Sequence, residues 1–451
     1  MSNKAKSKPE LVFSKYVHTI QTGKKEYALY SGLSSALIKT DKTVQQLQKQ
    51  LCESRSGINK DLKIQLQEGL FLIPATMNEL EYLNQRYQFM KYRNRGLYVT
   101  IIPTFRCNLR CGYCFQDRNN NDTMSEKTKK LLIRSLKQNI NASSHYKILS
   151  TIWYGGEPLL MVDDILGIGL KLKRYCETKK LKYESNIITN ATLLNEKAAD
   201  ILVEAGVTGC QITLDGPKHI HDKRRPFPKP NNSSFVKTVD GIIAAMEKMK
   251  VRIRINLDPA NIAYVEELLD ELETYNLLEH LQSGKIEVYL GRVFDCSKGG
   301  SCRYGSELYS VEQFATVEMD ILNKFFERGI NSINFPIAKL FFCSAIDVDS
   351  FVVDPLGNMY KCYANAWDKK QSFGKLGKPV KFTSEQLQCW MTYDPFKAKE
   401  CRDCKYLPLC GGGCPLLSIK EKNRKVEICE RWRFVLDKYL EHFVIKATTR
   451  S

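Results

Sequence analysis

An α/β fold built on a parallel sheet is predicted for this 451-residue chain by two observations. From Gly96 to Val293, six β-rich runs alternate with amphipathic helical runs, and each unusual motif of that region falls directly after a strand. Alternation of this kind builds parallel sheets, because a parallel neighbour is reached only through a long crossover, usually a helix. In such sheets ligands bind at the carboxyl ends of the strands, so motifs distant in sequence are expected to meet at one site.

The strands are read in GLYVTIIPT from Gly96, YKILSTIWYGG from Tyr146, YESNIITN from Tyr183, GCQITLDG from Gly209, VRIRINL from Val251 and KIEVYLGRV from Lys285. Each is rich in β-branched and aromatic residues. Helical periodicity separates them, as in SEKTKKLLIRSLKQNI from Ser125, NEKAADILVEAG from Asn195 and SFVKTVDGIIAAMEKM from Ser234. Residues 1–95 read as a separate α+β module, with a hairpin in EYALYSGLSSALIKT and helices around Val44 to Leu51 and Met77 to Lys91. Beyond Val293, a connector containing Cys296 and Cys302 leads to a helix opened by the capping box Ser310, Val311, Glu312, Gln313. The last third is cysteine-rich. A chain of this length exceeds one ordinary core, and the expected division is 1–95, 96–310, 311–342 and 343–445.

With 43% hydrophobic and 10% aromatic residues the chain is too apolar for disorder. It has no apolar run of about 18 residues, and its start, MSNKAKSKPE, lacks the apolar stretch of a signal peptide. A cytoplasmic location without a membrane partner is expected. The formal charge of +18 comes from scattered lysines and arginines rather than one basic tract, so no nucleic-acid partner is expected. Sixteen cysteines in short spacings point to metal ligation, since a reducing compartment disfavours a disulfide framework.

The densest cysteine cluster is FRCNLRCGYCF, with Cys107-x3-Cys111-x2-Cys114 directly after the first strand. Three thiols are one short of a [4Fe–4S] cage, in which each iron takes one thiolate; an incomplete zinc site is the alternative on spacing alone. Gly155, Gly156, Glu157 and Pro158 follow the second strand, TNATLL with Asn190 the third, and TLDGPKHIHDKRR with Thr213 the fourth. Together these motifs resemble the radical S-adenosylmethionine (SAM) superfamily. The resemblance implies a partial (β/α)6 radical SAM barrel whose [4Fe–4S] cluster leaves one iron for SAM to chelate. Reductive cleavage of SAM then yields a 5′-deoxyadenosyl radical that abstracts hydrogen from substrate. It also implies that Tyr113 lies beside the adenine, that Gly155 to Pro158 meet the SAM amino group, and that Asn190 and Thr213 flank the methionine and ribose. The family more often has Gly at the position of Ala191 and Ser at that of Thr213. Read without the resemblance, Asn190 is a helix cap and the run His219 to Arg225 a solvated loop.

The second constellation is Cys343-x13-Gly357-x4-Cys362, then Cys401-x2-Cys404-x5-Cys410-x3-Cys414-x14-Cys429. Pro355, Gly357 and Asn358 in SFVVDPLGNMYKC provide turn chemistry between two strands. CxxC pairs suit zinc as well as iron. The pattern resembles the SPASM domain, a C-terminal extension of radical SAM enzymes, and this implies two auxiliary clusters. Cys401, Cys404, Cys410 and Cys429 would hold the outer one, and Cys343, Cys362 and Cys414 the inner one, giving three [4Fe–4S] clusters in all. The inner set is again one ligand short. Of the remaining cysteines, Cys52, Cys176, Cys210 and Cys389 read as ordinary thiols, while Cys296 or Cys302 is a candidate to complete the inner set or touch substrate.

The same resemblance extends to maturases of ribosomally made peptides. It implies a precursor peptide or protein as substrate and an electron donor such as flavodoxin or ferredoxin. The favoured reaction is a thioether crosslink, with a substrate cysteine at the open iron of the inner cluster. Carbon–carbon crosslinking and the formylglycine chemistry of anaerobic sulfatase maturation are the enzymatic alternatives, and a zinc-dependent adaptor the non-enzymatic one. The sulfatase-maturing branch places an acidic residue where this chain has Tyr363. The N-terminal module resembles leader-recognition elements, which add an extended peptide to a sheet edge; the basic charge would favour an acidic leader.

Overall fold

The computed structural model describes residues 11–53, 58–92, 95–117, 119–229, 232–293, 307–339, 343–420 and 428–449. The chain divides into two compact units. One comprises Met1–Lys91, Ile333–Phe342 and Tyr393–Ser451, the other Tyr92–Ser332 and Cys343–Thr392.

In the first unit, β1 (Leu11–Phe13) pairs antiparallel with β5 (Leu72–Pro74). Strands β2 (Val17–Gly23), β3 (Glu26–Ser31) and β4 (Leu37–Thr40) form an antiparallel sheet with β3 in the centre. The β3–β4 hairpin is the one expected; β2 was not foreseen. Lys25 makes the β2–β3 turn with φ of 64°. Helices Val44–Glu53 and Glu79–Tyr92 occupy the expected stretches, and a third, Lys60–Glu68, is capped by Asn59, which accepts from the amides of Asp61 and Leu62. Leu29, Leu47, Leu66 and Phe71 are fully buried between this sheet and its helices. A second core joins Ile20 and Tyr30 to Leu409, Leu436 and Leu440. The N-terminal sheet, the cysteine-bearing loop and the helix Trp432–Thr449 therefore share one apolar cluster, whereas the sequence-based division separates them.

The second unit is built on β6 (Gly96–Ile101), β7 (Ile148–Trp153), β8 (Lys182–Thr189), β9 (Val207–Thr213), β10 (Lys250–Leu257) and β11 (Ile286–Arg292). All six expected strands are present, and they pair in parallel in sequence order. Their connecting helices begin at Ser and Asn caps: Ser125 accepts from the Thr128 amide, Asn195 from Ala198 and Ser233 from Val236. Ser310 and Gln313 complete the expected capping box of the helix Val311–Glu327. Unforeseen was the extension of the sheet past β6. There β12 (Ser350–Val353) adds in parallel, followed by the antiparallel β13 (Asn358–Tyr360) and β14 (Gly374–Lys375). The β12–β13 hairpin is that of SFVVDPLGNMYKC. Gly357 turns with φ of 80°, and Asp354 accepts from the Leu356 and Asn358 amides. No described helix is long and apolar enough to cross a membrane.

Candidate active site

The loop from Thr104 to Cys114 leaves β6 and is stitched to the three following strand ends. On the β7 side, the Gly156 amide donates to the Thr104 carbonyl at 3.1 Å and the Glu157 amide to that of Arg106 at 2.8 Å. This approach requires glycine. A Cβ on Gly156 would stand 2.0 Å from the Arg106 carbonyl oxygen, and one on Gly155, whose φ is 136°, would stand 2.5 Å from that of Thr104. Gln116 Nε2 donates to the Gly155 carbonyl at 2.8 Å.

The Glu157 carboxylate is fully buried and turns toward β8. It accepts from Thr189 Oγ1 at 2.6 Å, from the Asn190 amide at 2.8 Å and from the Leu159 amide at 2.9 Å. Burial raises its pKa, which these donors counteract. Glu157 thus ties the end of β7 to the end of β8. Pro158 opens the short helix that follows.

Asn190 reaches back to the cysteine loop. Its Nδ2 donates to Asn108 Oδ1 at 2.8 Å and lies 3.9 Å from Cys107 Sγ, while its Oδ1 accepts from the Thr192 amide and hydroxyl. The following helix is capped by Asn195 instead, so the helix-cap reading of Asn190 does not hold. Ala191 adopts φ of 60°, the left-handed region that favours glycine.

After β9, where Thr213 is buried, Tyr113 Oη donates to Asp215. It accepts from Arg225 Nη1 at 2.6 Å and from Asn256 Nδ2 at 3.2 Å, and the Arg224 guanidinium lies 5.3 Å from the Tyr113 ring centroid. Arg224 forms a bidentate pair with Asp258 at 3.1 and 2.8 Å, and Arg225 lies 3.8 Å from Asp215. The Arg224 and Pro226 carbonyls accept from the Gly112 and Arg110 amides. The run His219 to Arg225, expected from charge alone to be solvated, therefore forms one wall of the loop, with His221, Arg224 and Arg225 buried. Sequence reasoning missed Gln116, Asp215, Arg224, Arg225, Asn256 and Asp258. The signal for some of them, an acid and an arginine pair after the same strand, was present in TLDGPKHIHDKRR.

The electrostatics fit a cationic metal group. Burial, with Glu157 adding to it, pushes the Cys107 thiol up to about 12, and Cys111 and Cys114 are close enough to raise it further. A thiol in that state becomes a thiolate only when a positive charge arrives, as bound metal provides. Burial disfavours the charge on Arg225, yet Cys111, Tyr113 and Asp215 around it hold it firmly protonated. Its Nε is buried with no hydrogen-bond partner, a donor suited to an anionic group. Burial first, and Arg225 second, drive His221 well below the usual imidazole range, so it is neutral. Its Nδ1 accepts from the Asp215 amide at 3.2 Å.

The C-terminal cysteines divide between the units. Cys401, Cys404, Cys410 and Cys429 all lie in the first, as does Cys414; Cys343 and Cys362 lie in the second. Burial lifts the Cys410 thiol to about 12, with Glu430 the next cause and Cys429 also contributing. Gly411, Gly412 and Gly413 all have positive φ, and a Cβ on Gly413 would stand 1.8 Å from the Ile428 carbonyl oxygen. That contact brings the cysteine loop against the segment carrying Cys429. Tyr363 follows Cys362 and packs its ring 5.3 Å from that of Tyr154. Cys176 and Cys210 are buried, as expected of ordinary thiols. Cys296 and Cys302 lie outside the described residues. Among the described residues, no three His, Cys, Asp or Glu side chains are gathered tightly enough to hold a single metal ion.

Parallel strands whose ends converge on a three-cysteine loop define a class, and the family comparison gives the same one. Residues 101–272 match the Radical SAM superfamily. The chain carries a radical SAM domain over that stretch and is an enzyme. It is similar to a cysteine-type anaerobic sulfatase-maturating enzyme of Clostridium perfringens, 24% identical over 360 residues, 71% of this chain and 89% of the relative. It is also similar to TigE, a radical SAM cyclopropyl synthase of Paramaledivibacter caminithermalis, 20% identical over 488 aligned positions that cover 96% of each chain. An uncharacterized protein of Methanocaldococcus jannaschii is 33% identical over 183 residues, 40% of this chain, and the chain spans 59% of that relative's length. Among solved structures, native anSMEcpe with bound AdoMet and Kp18Cys peptide shares the fold, with a TM-score of 0.61, 19% identity and coverage of 77% of this chain and 99% of that one.

Proposed function

We propose that the chain is a radical SAM maturase that installs a crosslink, favourably a thioether, in a ribosomally made peptide or in a protein. The observation that carries the radical SAM part is the convergence of the Cys107–Cys114 loop with Gly156, Glu157, Asn190, Asp215 and Arg225 at the carboxyl ends of four adjacent strands. A peptide or protein substrate is supported by the names of the relatives, which include a sulfatase-maturating enzyme. The thioether is favoured by the sequence pattern, in which Cys343, Cys362 and Cys414 make a set one thiolate short of four.

Cys107, Cys111 and Cys114 would hold the [4Fe–4S] cluster that SAM completes, and Gly155 to Pro158, Asn190, Thr213 and Tyr113 would surround SAM. When bound, cluster and SAM supply a carbon radical that removes a hydrogen atom from substrate. The chain's own residues supply position. Glu157 locks two strand ends together, the Asp215–Tyr113–Arg225 bonds fix the aromatic ring, and the unpartnered Arg225 Nε offers a donor to a carboxylate. Cys401, Cys404, Cys410 and Cys429 would hold the outer auxiliary cluster, and a flavodoxin or ferredoxin would deliver the electron.

The relatives favour a second reading, maturation of a sulfatase, in which a cysteine becomes formylglycine. Anaerobic co-expression with a cysteine-containing precursor peptide, read by mass spectrometry and alkylation, separates the readings. A product two hydrogens lighter and inert to thiol reagents is the thioether, the same mass with a free thiol is a carbon–carbon crosslink, and loss of the sulfur is formylglycine. Anaerobically reconstituted protein should be brown, with roughly 12 iron atoms for three clusters; colourless zinc protein would sink the enzymatic reading.

A further inference from the structure

Strand β10 carries Arg252, Arg254 and Asn256 on one face, while Val251, Ile253 and Ile255 on the other are buried in the core. The register sets Arg254 beside Thr213 of β9 and Tyr289 of β11, and Arg252 beside Gln211 and Glu287. This face belongs to the candidate site, because Asn256 Nδ2 donates to Tyr113 Oη at 3.2 Å. Arg254 Nε donates in turn to Asn256 Oδ1 at 2.7 Å. Its Cζ lies 5.8 Å from the Tyr289 ring centroid, and the Tyr289 hydroxyl is itself fixed by donating to Gln211 Oε1 at 2.5 Å. On β11, Gly291 makes room for the guanidinium: a Cβ there would stand 2.7 Å from Arg254 Nε and 2.8 Å from its Nη2.

Arg254 is thus held in a set geometry, and what it lacks is an acid. Arg252 pairs with Glu287 at 2.6 Å, Arg224 with Asp258 at 2.8 Å, and Arg225 lies 3.8 Å from Asp215. Among the described residues, no carboxylate is within ion-pairing distance of Arg254. A guanidinium is charged at any physiological pH, and its planar fork matches a carboxylate. With Nε engaged by Asn256, the two Nη groups remain for such a partner. The side chain is half-buried, so an incoming ligand can reach it, and partial shielding from water strengthens the pair that forms. Arg225 Nε already offers a donor to the carboxylate of SAM in the reading above, and Arg254 calls for a second anion.

We propose that Arg254 binds a carboxylate of the peptide or protein substrate and so fixes the substrate beside the hydrogen that is removed. The proposal rests on the maturase reading given above. It places the carboxylate level with Thr213 and one side chain away from Tyr113, at the edge of the site assigned to SAM. An acidic side chain near the modified residue and a free chain terminus are the two sources of that group.

The test uses the anaerobically reconstituted full chain and the cysteine-containing precursor peptide. Initial rates of peptide modification are followed by mass spectrometry, and 5′-deoxyadenosine is measured in the same reactions. Arg254→Gln should slow modification by roughly 30-fold or more, the loss expected when one partner of a shielded charge pair is removed, while 5′-deoxyadenosine still forms. Arg254→Lys, which keeps the charge and loses the fork, should fall between the two. Each Asp and Glu of the precursor is changed singly to Asn or Gln, and a further peptide carries an amidated C-terminus. One of these peptides should reproduce the loss with the native enzyme and lose little more with Arg254→Gln, a non-additivity that a purely structural role would not produce. Which peptide does so tells the side-chain source from the terminal one. Full modification by Arg254→Gln, or additive losses with every peptide, overturns the proposal alone. Loss of 5′-deoxyadenosine in Arg254→Gln would make the residue a SAM contact and also overturns it. A native enzyme that cleaves SAM and leaves the precursor unmodified overturns the maturase reading, and the proposal with it.

Discussion

At the scale of single residues, the site contains two positions whose backbone or protonation makes a measurable claim. Ala191 is held at φ of 60° between Asn190 and Thr192. A side chain in that region costs roughly 1–2 kcal/mol, against the roughly 0.5–1 kcal/mol by which glycine ordinarily weakens a fold. Ala191→Gly is expected to be neutral or stabilising by up to about 1 kcal/mol in urea denaturation, and a clear loss would contradict the strain argument. His221 is buried and neutral, with its folded pKa well below the usual value of 6.5. Below about pH 6.5 the unfolded chain takes up a proton that the native state refuses, so the stability His221 contributes is present above that pH and lost as pH falls. The loss reaches up to about 1.4 kcal/mol per pH unit. His221→Asn can keep the acceptor for the Asp215 amide and should flatten the stability profile between pH 6.5 and 5. Neither feature was legible in sequence, where His221 lies in a charged run that reads as solvated. Burial is decided by partners such as Asp258, 34 residues from Arg224, and no local pattern announces that pairing.

At the scale of elements, the sequence reading was strongest where the signal is local. Alternation of β-branched runs with capped amphipathic helices marked all six parallel strands, and the strand-end rule placed four motifs at one edge. Missed were β2 and the helix Lys60–Glu68, and with them the addition of β12 to β6, because register between distant segments is set by packing and not by propensity. The join between the β7 loop and the cysteine loop gives a direct test. In Gly156→Ala the new methyl would stand 2.0 Å from one carbonyl oxygen and 2.5 Å from that of Phe105, both backbone atoms. Relief requires the cysteine loop itself to move. Iron bound at Cys107, Cys111 and Cys114 should fall several-fold in that variant, measured by metal analysis in a background lacking the C-terminal cysteines. Gly167→Ala is the control. It lies in the helix Val162–Thr178, its Cβ would meet nothing within 4 Å, and it should leave iron unchanged while stabilising the helix by roughly 0.5–1 kcal/mol.

At the scale of the whole molecule, the two ends of the chain build one unit, and this changes what a truncation can mean. Residues 1–95 read from sequence as a detachable module that recognises a leader, because they carry no clustered ligands and break from the βα pattern. In the structure, Ile20 and Tyr30 are buried against Leu409, Leu436 and Leu440, and Tyr30 Oη donates to the Pro336 carbonyl at 2.8 Å. Ser35 Oγ accepts from the Ala338 amide at 2.7 Å. Each large apolar side chain withdrawn from such a cluster costs roughly 1.5–3 kcal/mol, and deletion of residues 1–91 withdraws several at once along with the support beneath the Cys401–Cys410 loop. Every residue assigned to the SAM site lies in the other unit. The deleted protein is therefore expected to keep the Cys107 cluster and form 5′-deoxyadenosine at a reduced rate, while losing the iron assigned to Cys401, Cys404, Cys410 and Cys429. Metal analysis and product quantification on the same preparation decide it. Full iron retention would show that the N-terminal segment is separable after all, and loss of precursor affinity in that protein would then be evidence for leader binding in its own right.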